Sequence, residues 1–179
     1  MNKLKQGINI IRCKAGMEPS HPLKMQVLLS YSCNSNCYFC ARNGRGGPSI
    51  DFKTIKRAVK DFKNLGGLAV NFSGGEPLLY NKIESILKYS KQKIKLDKVS
   101  VSTNGLILEK KIEKLSKHLD KVYISLDTLD EKKYKKIRGV DGLKKVLRGI
   151  DKTKKMNIPV IINITLTKDN MEELEDLLN

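Results

Sequence analysis

Cys33, Cys37 and Cys40 lie within the run Cys-Asn-Ser-Asn-Cys-Tyr-Phe-Cys, a C-x3-C-x2-C pattern that puts three thiolates on one short loop. Three sulfur ligands leave a metal centre with a vacancy, because a closed tetrahedral zinc site or a fully ligated iron–sulfur cube takes four. An exogenous ligand can enter at that vacancy. The spacing alone leaves open a zinc site completed by Cys13, His21 or His118, and it leaves open three unrelated buried thiols. Three further polar or glycine-rich words follow: Gly74-Gly75-Glu76-Pro77, Ser102-Thr103-Asn104-Gly105 and Ser125-Leu126-Asp127. Taken singly, each also reads as a turn or a helix cap.

The elements that must position these words alternate between strand-like and helix-like from residue 24 onward, the signature of a parallel sheet with crossover helices. Strands are predicted over Met25–Ser30, Ala69–Ser73, Lys98–Ser102, Lys121–Leu126 and Pro159–Leu166. The last is almost continuously apolar, as expected of a strand covered on both faces. Helical spacing recurs in Phe52, Ile55, Val59, Phe62 and Leu65, near Asn81–Lys91, over Glu109–His118, around Asp130–Ile137 and over Gly142–Lys155. Asn170 is expected to cap a final helix carrying Met171, Leu174, Leu177 and Leu178. Each chemical word falls at or just after the C-terminal end of one of the first four strands. In a parallel β/α array those ends share one mouth, where ligands bind. Residues 1–23 read as an N-terminal extension with a short strand, Ile8–Cys13, and a structural Cys13; residues 24–179 read as the core domain.

The chain has 179 residues, 40% of them hydrophobic, enough for one sizeable core. No window approaches a membrane span, and Met1–Gly16 lacks the apolar centre of a signal peptide, so we expect a cytoplasmic protein with no membrane partner. In that compartment a cysteine cluster reads as metal-binding rather than as a disulfide framework. The net charge of +16 comes mainly from lysine and by itself admits a nucleic-acid partner. With 6% aromatics and no Trp there is little to stack bases on, and most lysines fall on polar helix faces.

On the triple-cysteine loop, followed one β/α unit later by Gly74-Gly75-Glu76-Pro77, the chain resembles the radical S-adenosylmethionine (SAM) enzymes from about Met25 to Leu178. The resemblance implies an α/β fold, a partial (β/α) TIM-type barrel of about five to six parallel strands. It implies that Cys33, Cys37 and Cys40 hold a 4Fe–4S cluster whose fourth iron is chelated by the amino and carboxylate groups of SAM. Gly74 and Gly75 would allow close backbone approach, Glu76 or exposed carbonyls would accept from the SAM ammonium, Pro77 would fix the exit of that turn, and Phe39 would lie by the adenine. Ser102, Thr103 and Asn104 would line the same cavity. Ser125 and Asp127 would meet a ribose or an amino acid end, and Arg138 would pair with the SAM carboxylate through its planar fork. The implied chemistry is reductive cleavage of SAM to a 5′-deoxyadenosyl radical that abstracts hydrogen, with a ferredoxin or flavodoxin as electron donor.

Within that family Ser125-Leu126-Asp127-Thr128-Leu129-Asp130 and Ile137-Arg138-Gly139 are most similar to GTP 3′,8-cyclases of molybdenum cofactor synthesis and to related peptide-modifying enzymes. At three positions where the cyclases carry basic residues toward GTP, this sequence has Gln26, Asn71 and Ile161. A triphosphate needs cationic partners. We therefore expect a peptide or small-molecule substrate in preference to GTP, with GTP cyclisation and a non-catalytic iron–sulfur protein as the alternatives. Five β/α units rather than six leave room for a protein partner that closes the barrel.

Overall fold

Each strand pairs in parallel with the next one in sequence, giving a five-stranded sheet of order β1-β2-β3-β4-β5. The strands of this computed structural model are β1 Lys24–Leu28, β2 Ala69–Ser73, β3 Lys98–Thr103, β4 Lys121–Ser125 and β5 Val160–Asn163. Residues 2–41, 46–173 and 175 are described. Right-handed crossovers between strands laid down in one direction put every connecting helix on the same face of the sheet. That face is apolar: Val70 and Phe72, Val99 and Val101, and Val122 and Ile124 are buried there against the helices. The alternate residues turn to the other face, which reads Gln26, Asn71 and Ser73, Ser100 and Ser102, Tyr123 and Ser125, Ile161 and Asn163. The parallel sheet is what the alternation of the sequence predicts, and a polar inner wall backed by an apolar helix layer agrees with the partial barrel that the resemblance implies.

The helices are α1 Asn2–Lys14, α2 Phe52–Asn64, α3 Ile83–Lys88, α4 Leu108–Leu115, α5 Glu131–Arg138 and α6 Leu143–Lys155. In α2 the spacing of Ile55, Val59 and Phe62 buries one stripe, each side chain adding about 1.5–3 kcal/mol. Its start is fixed by Asp51, which accepts from Lys53 N at 2.9 Å and Thr54 N at 3.0 Å. The helix α5 starts in the same way, with the Asp130 carboxylate accepting from Lys133 N at 2.7 Å, and it ends at Gly139 in the left-handed conformation.

Two expectations are corrected. The stretch Ile8–Cys13 is helical, within α1, rather than a strand. Its buried Asn9 side chain accepts from Ser20 N at 2.9 Å, which ties the helix to the turn that follows. The fifth strand is shorter than Pro159–Leu166 and, among the described residues, is an uncovered edge: Ile161 and Ile162 are 36% and 38% exposed. After Asn170 the chain forms a 3-10 turn, Met171–Glu173, and Glu175 is helical; Leu174, Leu177 and Leu178 of the expected final helix lie outside the described residues. No described helix is long and apolar enough to cross a membrane.

Candidate active site

Because all five strands run the same way, the segments leaving β1 to β4 meet at one end of the sheet. Two sets of backbone hydrogen bonds hold the cysteine loop there. On one side, Gly75 N donates to Ser30 O and Glu76 N to Ser32 O, both at 2.8 Å, which zips the turn after β2 onto the approach to Cys33. A Cβ on Gly75 would sit 2.3 Å from Ser32 O, so only glycine permits this approach. On the other side, the loop lies on the C-terminal end of α5. Asn36 N and the Ser35 hydroxyl donate to Arg138 O at 2.9 and 2.8 Å, and Tyr38 N donates to Ile137 O at 3.2 Å. Gly139, at φ +65°, leaves space for Asn36, whose carbonyl would be 2.4 Å from a Cβ. These contacts use carbonyls that a helix end leaves without partners.

The result is a cavity of about 160 Å³ lined by all three cysteines, with Phe39, Gly74, Gly75, Ser102, Thr103, Asn104, Ser125 and Arg138 from the expected set. Ser73, which sequence reasoning passed over, also lines it; its inward parity with Asn71 is the signal that could have found it. Polar groups approach the sulfurs. Asn104 Nδ2 lies 3.7 Å from Cys33 Sγ, the Ser35 hydroxyl 3.4 Å from Cys37 Sγ, and Arg138 Nη1 3.6 Å from Cys37 Sγ. Asn104 is fixed by donating to Asn34 Oδ1 at 2.8 Å and accepting from Leu106 N at 3.0 Å, so a residue that reads as a turn former is part of the cysteine site. Burial pushes the Cys33 thiol above its ordinary value, only partly offset by its hydrogen bonds. Among the described residues no three His, Cys, Asp or Glu side chains gather as ligands of a single metal ion. Thiols spaced around a cavity would fit a cluster, in which each sulfur meets a different iron, better than a single ion. Cys13 is exposed on α1 and does not line it.

Three expected ligands are placed differently. Glu76 is 1% exposed, and its carboxylate accepts from Leu78 N at 2.9 Å, Thr103 Oγ1 at 2.7 Å and Asn104 N at 2.8 Å. Burial raises its pKa, and those three donors pull it back. It straps the end of β2 to the end of β3, and neither it nor the buried Pro77 lines the cavity. Asp127 is fully buried: Oδ2 lies 2.6 Å from Arg138 Nη2, and Oδ1 accepts from Thr165 N at 2.9 Å. Burial raises its pKa more than the Arg138 guanidinium lowers it. Asp127 therefore orients Arg138. The guanidinium carbon sits 5.7 Å from the centre of the Phe39 ring, and Nε is buried without a hydrogen-bond partner among the described residues. A buried cation with a donor to spare suits an anionic ligand.

Residues 27–179 match the family model described as "Radical SAM superfamily". The chain belongs to this superfamily. It is 37% identical over 158 residues to a probable GTP 3′,8-cyclase of Pyrococcus abyssi, covering 86% of this chain and 51% of that protein. To a GTP 3′,8-cyclase of Clostridium perfringens it is 32% identical over 162 residues, covering 87% and 50%. It thus spans about half the length of these curated relatives. The structure of Streptococcus suis SuiB bound to S-adenosylmethionine superimposes with a TM-score of 0.73 at 25% identity, covering 95% of this chain and 41% of SuiB. The α/β half-barrel described above is the radical SAM core, and the cofactors of the family are a 4Fe–4S cluster and SAM.

Proposed function

We propose that this radical SAM protein is an enzyme that binds a 4Fe–4S cluster through Cys33, Cys37 and Cys40 and cleaves SAM reductively to abstract hydrogen from a substrate. The observation that carries the proposal is the single cavity in which the three cysteines meet Gly74, Gly75, Ser102, Ser125 and Arg138. When bound, the cluster would supply the electron that breaks the sulfur–C5′ bond of SAM, leaving methionine and a 5′-deoxyadenosyl radical. Asn104, Ser35 and Arg138 would stabilise the thiolates, since hydrogen bonds to the sulfurs set the potential of such centres. Gly74 and Gly75 would let the SAM ammonium reach backbone carbonyls. Phe39 would stack by the adenine, and Ser125 would bond a hydroxyl or carboxylate oxygen. Arg138, held by Asp127, would face the SAM carboxylate.

The proposed setting is a cytoplasmic protein reduced by a ferredoxin or flavodoxin. A partner that closes the barrel would pair with the exposed edge of β5. The curated relatives weigh against preferring a peptide substrate, and their similarity favours GTP cyclisation as a second reading. Against that reading, Gln26 and Asn71 are register partners on the inner face, and Ile161 faces inward beside Tyr123.

SAM is expected to change the electron paramagnetic resonance spectrum of the anaerobically reconstituted, reduced protein. Arg138→Lys keeps a charge against Asp127 but removes the fork, and should weaken SAM binding by about 1.5 kcal/mol, roughly tenfold. A spectrum indifferent to SAM would count against the proposal, and an unchanged affinity would take Arg138 out of the SAM site.

A further inference from the structure

The inner face of the sheet continues away from the cysteines toward the N-terminal ends of the strands, where three lysines share its parity. Lys24 and Lys98 flank Ala69 in one row, and Lys121 lies beside Ser100 in the next. They line one cavity of about 120 Å³, with Asn71, Ser100 and Tyr123 among its other walls. A second cavity of about 370 Å³ shares Lys24, Asn71 and Tyr123 with the first, and shares Ser102 with the cysteine cavity. The three cavities therefore follow one another along the inner face, with shared walls, from the sulfurs to the lysines. From Ser102 to Lys98 is four residues of strand, about 13 Å.

Charge is segregated across this edge. Asp97 and Asp120 directly precede Lys98 and Lys121, yet they pair with lysines of the helix layer: Asp97 with Lys63 at 3.2 Å, and Asp120 with Lys91 at 2.7 Å. Asp120 is fixed further by accepting from Val99 N at 2.8 Å. No Asp or Glu lines any of the three cavities. Among the described residues Lys24, Lys98 and Lys121 form no ion pair, and Lys121 instead lies 5.7 Å from the centre of the Tyr123 ring. The wall between them is neutral and already bonded: Asn71 Nδ2 donates to Ser102 Oγ at 2.9 Å, and Ser100 Oγ donates to Asn71 Oδ1 at 3.1 Å. Three uncompensated point charges with no arginine fork suit a compact polyanion, and phosphate is the group that lysine binds in this manner.

We infer that Lys24, Lys98 and Lys121 form a phosphate-binding subsite, which anchors a phosphorylated small molecule whose other end reaches the cysteine cavity. This rests on the reading of that cavity as the SAM site, and it places Lys98 about 13 Å along its strand from Ser102 of that cavity. Lys121 shares its row with Gln26 and Asn71, and Lys24 and Lys98 stand one row nearer the N-terminal edge, so the cations lie beside the neutral wall rather than on it.

The test is pyrophosphate binding by calorimetry to the anaerobically reconstituted protein with SAM present. The triple variant Lys24→Gln, Lys98→Gln, Lys121→Gln should bind at least about tenfold more weakly than the unaltered chain. Lys53→Gln, Lys60→Gln, Lys88→Gln removes the same charge from exposed helix positions and should change affinity less than about twofold. Equal losses in both triples, or no binding by the unaltered chain, would overturn the subsite. Tricarballylate binding as tightly as pyrophosphate would overturn the phosphate assignment. Iron content and SAM affinity of the same samples report separately on the cysteine loop. If SAM fails to bind while pyrophosphate still discriminates the two triples, the SAM reading falls and the lysine subsite stands.

Discussion

Cys37→Ala is expected to reduce the iron of anaerobically reconstituted protein from about four per chain to background, while Cys13→Ala leaves it near four. Cys37 is the most buried of the three loop cysteines and is the one approached by both Ser35 and Arg138. Its sulfur has no substitute nearby: among the described residues the remaining cysteine is Cys13, exposed on α1. Iron and sulfide analysis of the three proteins, prepared without air, reads the result. Stoichiometric zinc in place of iron would reject the cluster.

The second large effect concerns the Asp127–Arg138 pair, whose side chains are 0% and 6% exposed. Asp127→Ala should lower stability by about 3–5 kcal/mol, because it leaves a buried guanidinium uncompensated. It also frees Thr165 N, the backbone anchor between the end of β4 and the segment after β5. Set against a total of about 5–15 kcal/mol, this is a large fraction. Asp127→Leu combined with Arg138→Met should recover much of the loss, since a packed apolar pair needs no desolvation of charge. That double variant should nevertheless bind SAM poorly. Urea denaturation gives the stabilities, and SAM titration separates the two roles of Arg138. A stable Asp127→Ala protein would show that the pair does not hold this corner together.

What the sequence carried and what it did not follow from how local each interaction is. The strands β2, β3 and β4 were legible because one face must be apolar and each runs into a polar or glycine-bearing turn. The clustering of those turns followed from parallel pairing. The helix α1 was misread because Ile8-Asn-Ile-Ile-Arg-Cys13 is rich in β-branched residues, and the contact of Asn9 with Ser20 that accompanies the helix is not written in the segment itself. The fifth strand was misread because an apolar run records what a strand can bury, not what covers it.

In the site, the types of Glu76 and Asp127 were informative but their directions were not. Glu76 turns to the donors at the end of β3, and Asp127 turns to an arginine at the far end of α5, choices set by strand register and helix placement. Asn104 shows the converse, since its turn-forming identity concealed a side chain directed at Cys33. The lysines were hardest to see. Lys98 and Lys121 look like ordinary solvated charges until the ion pairs show that their acidic neighbours face the other way.

A cysteine cavity that cleaves SAM must release 5′-deoxyadenosine. Reconstituted protein, reduced without air and given SAM, should release 5′-deoxyadenosine and methionine in equal amounts, and Cys37→Ala should release neither above background. Cluster-replete, reduced protein that binds SAM yet forms no 5′-deoxyadenosine would rule out SAM cleavage in this cavity and leave the fold to electron transfer or assembly.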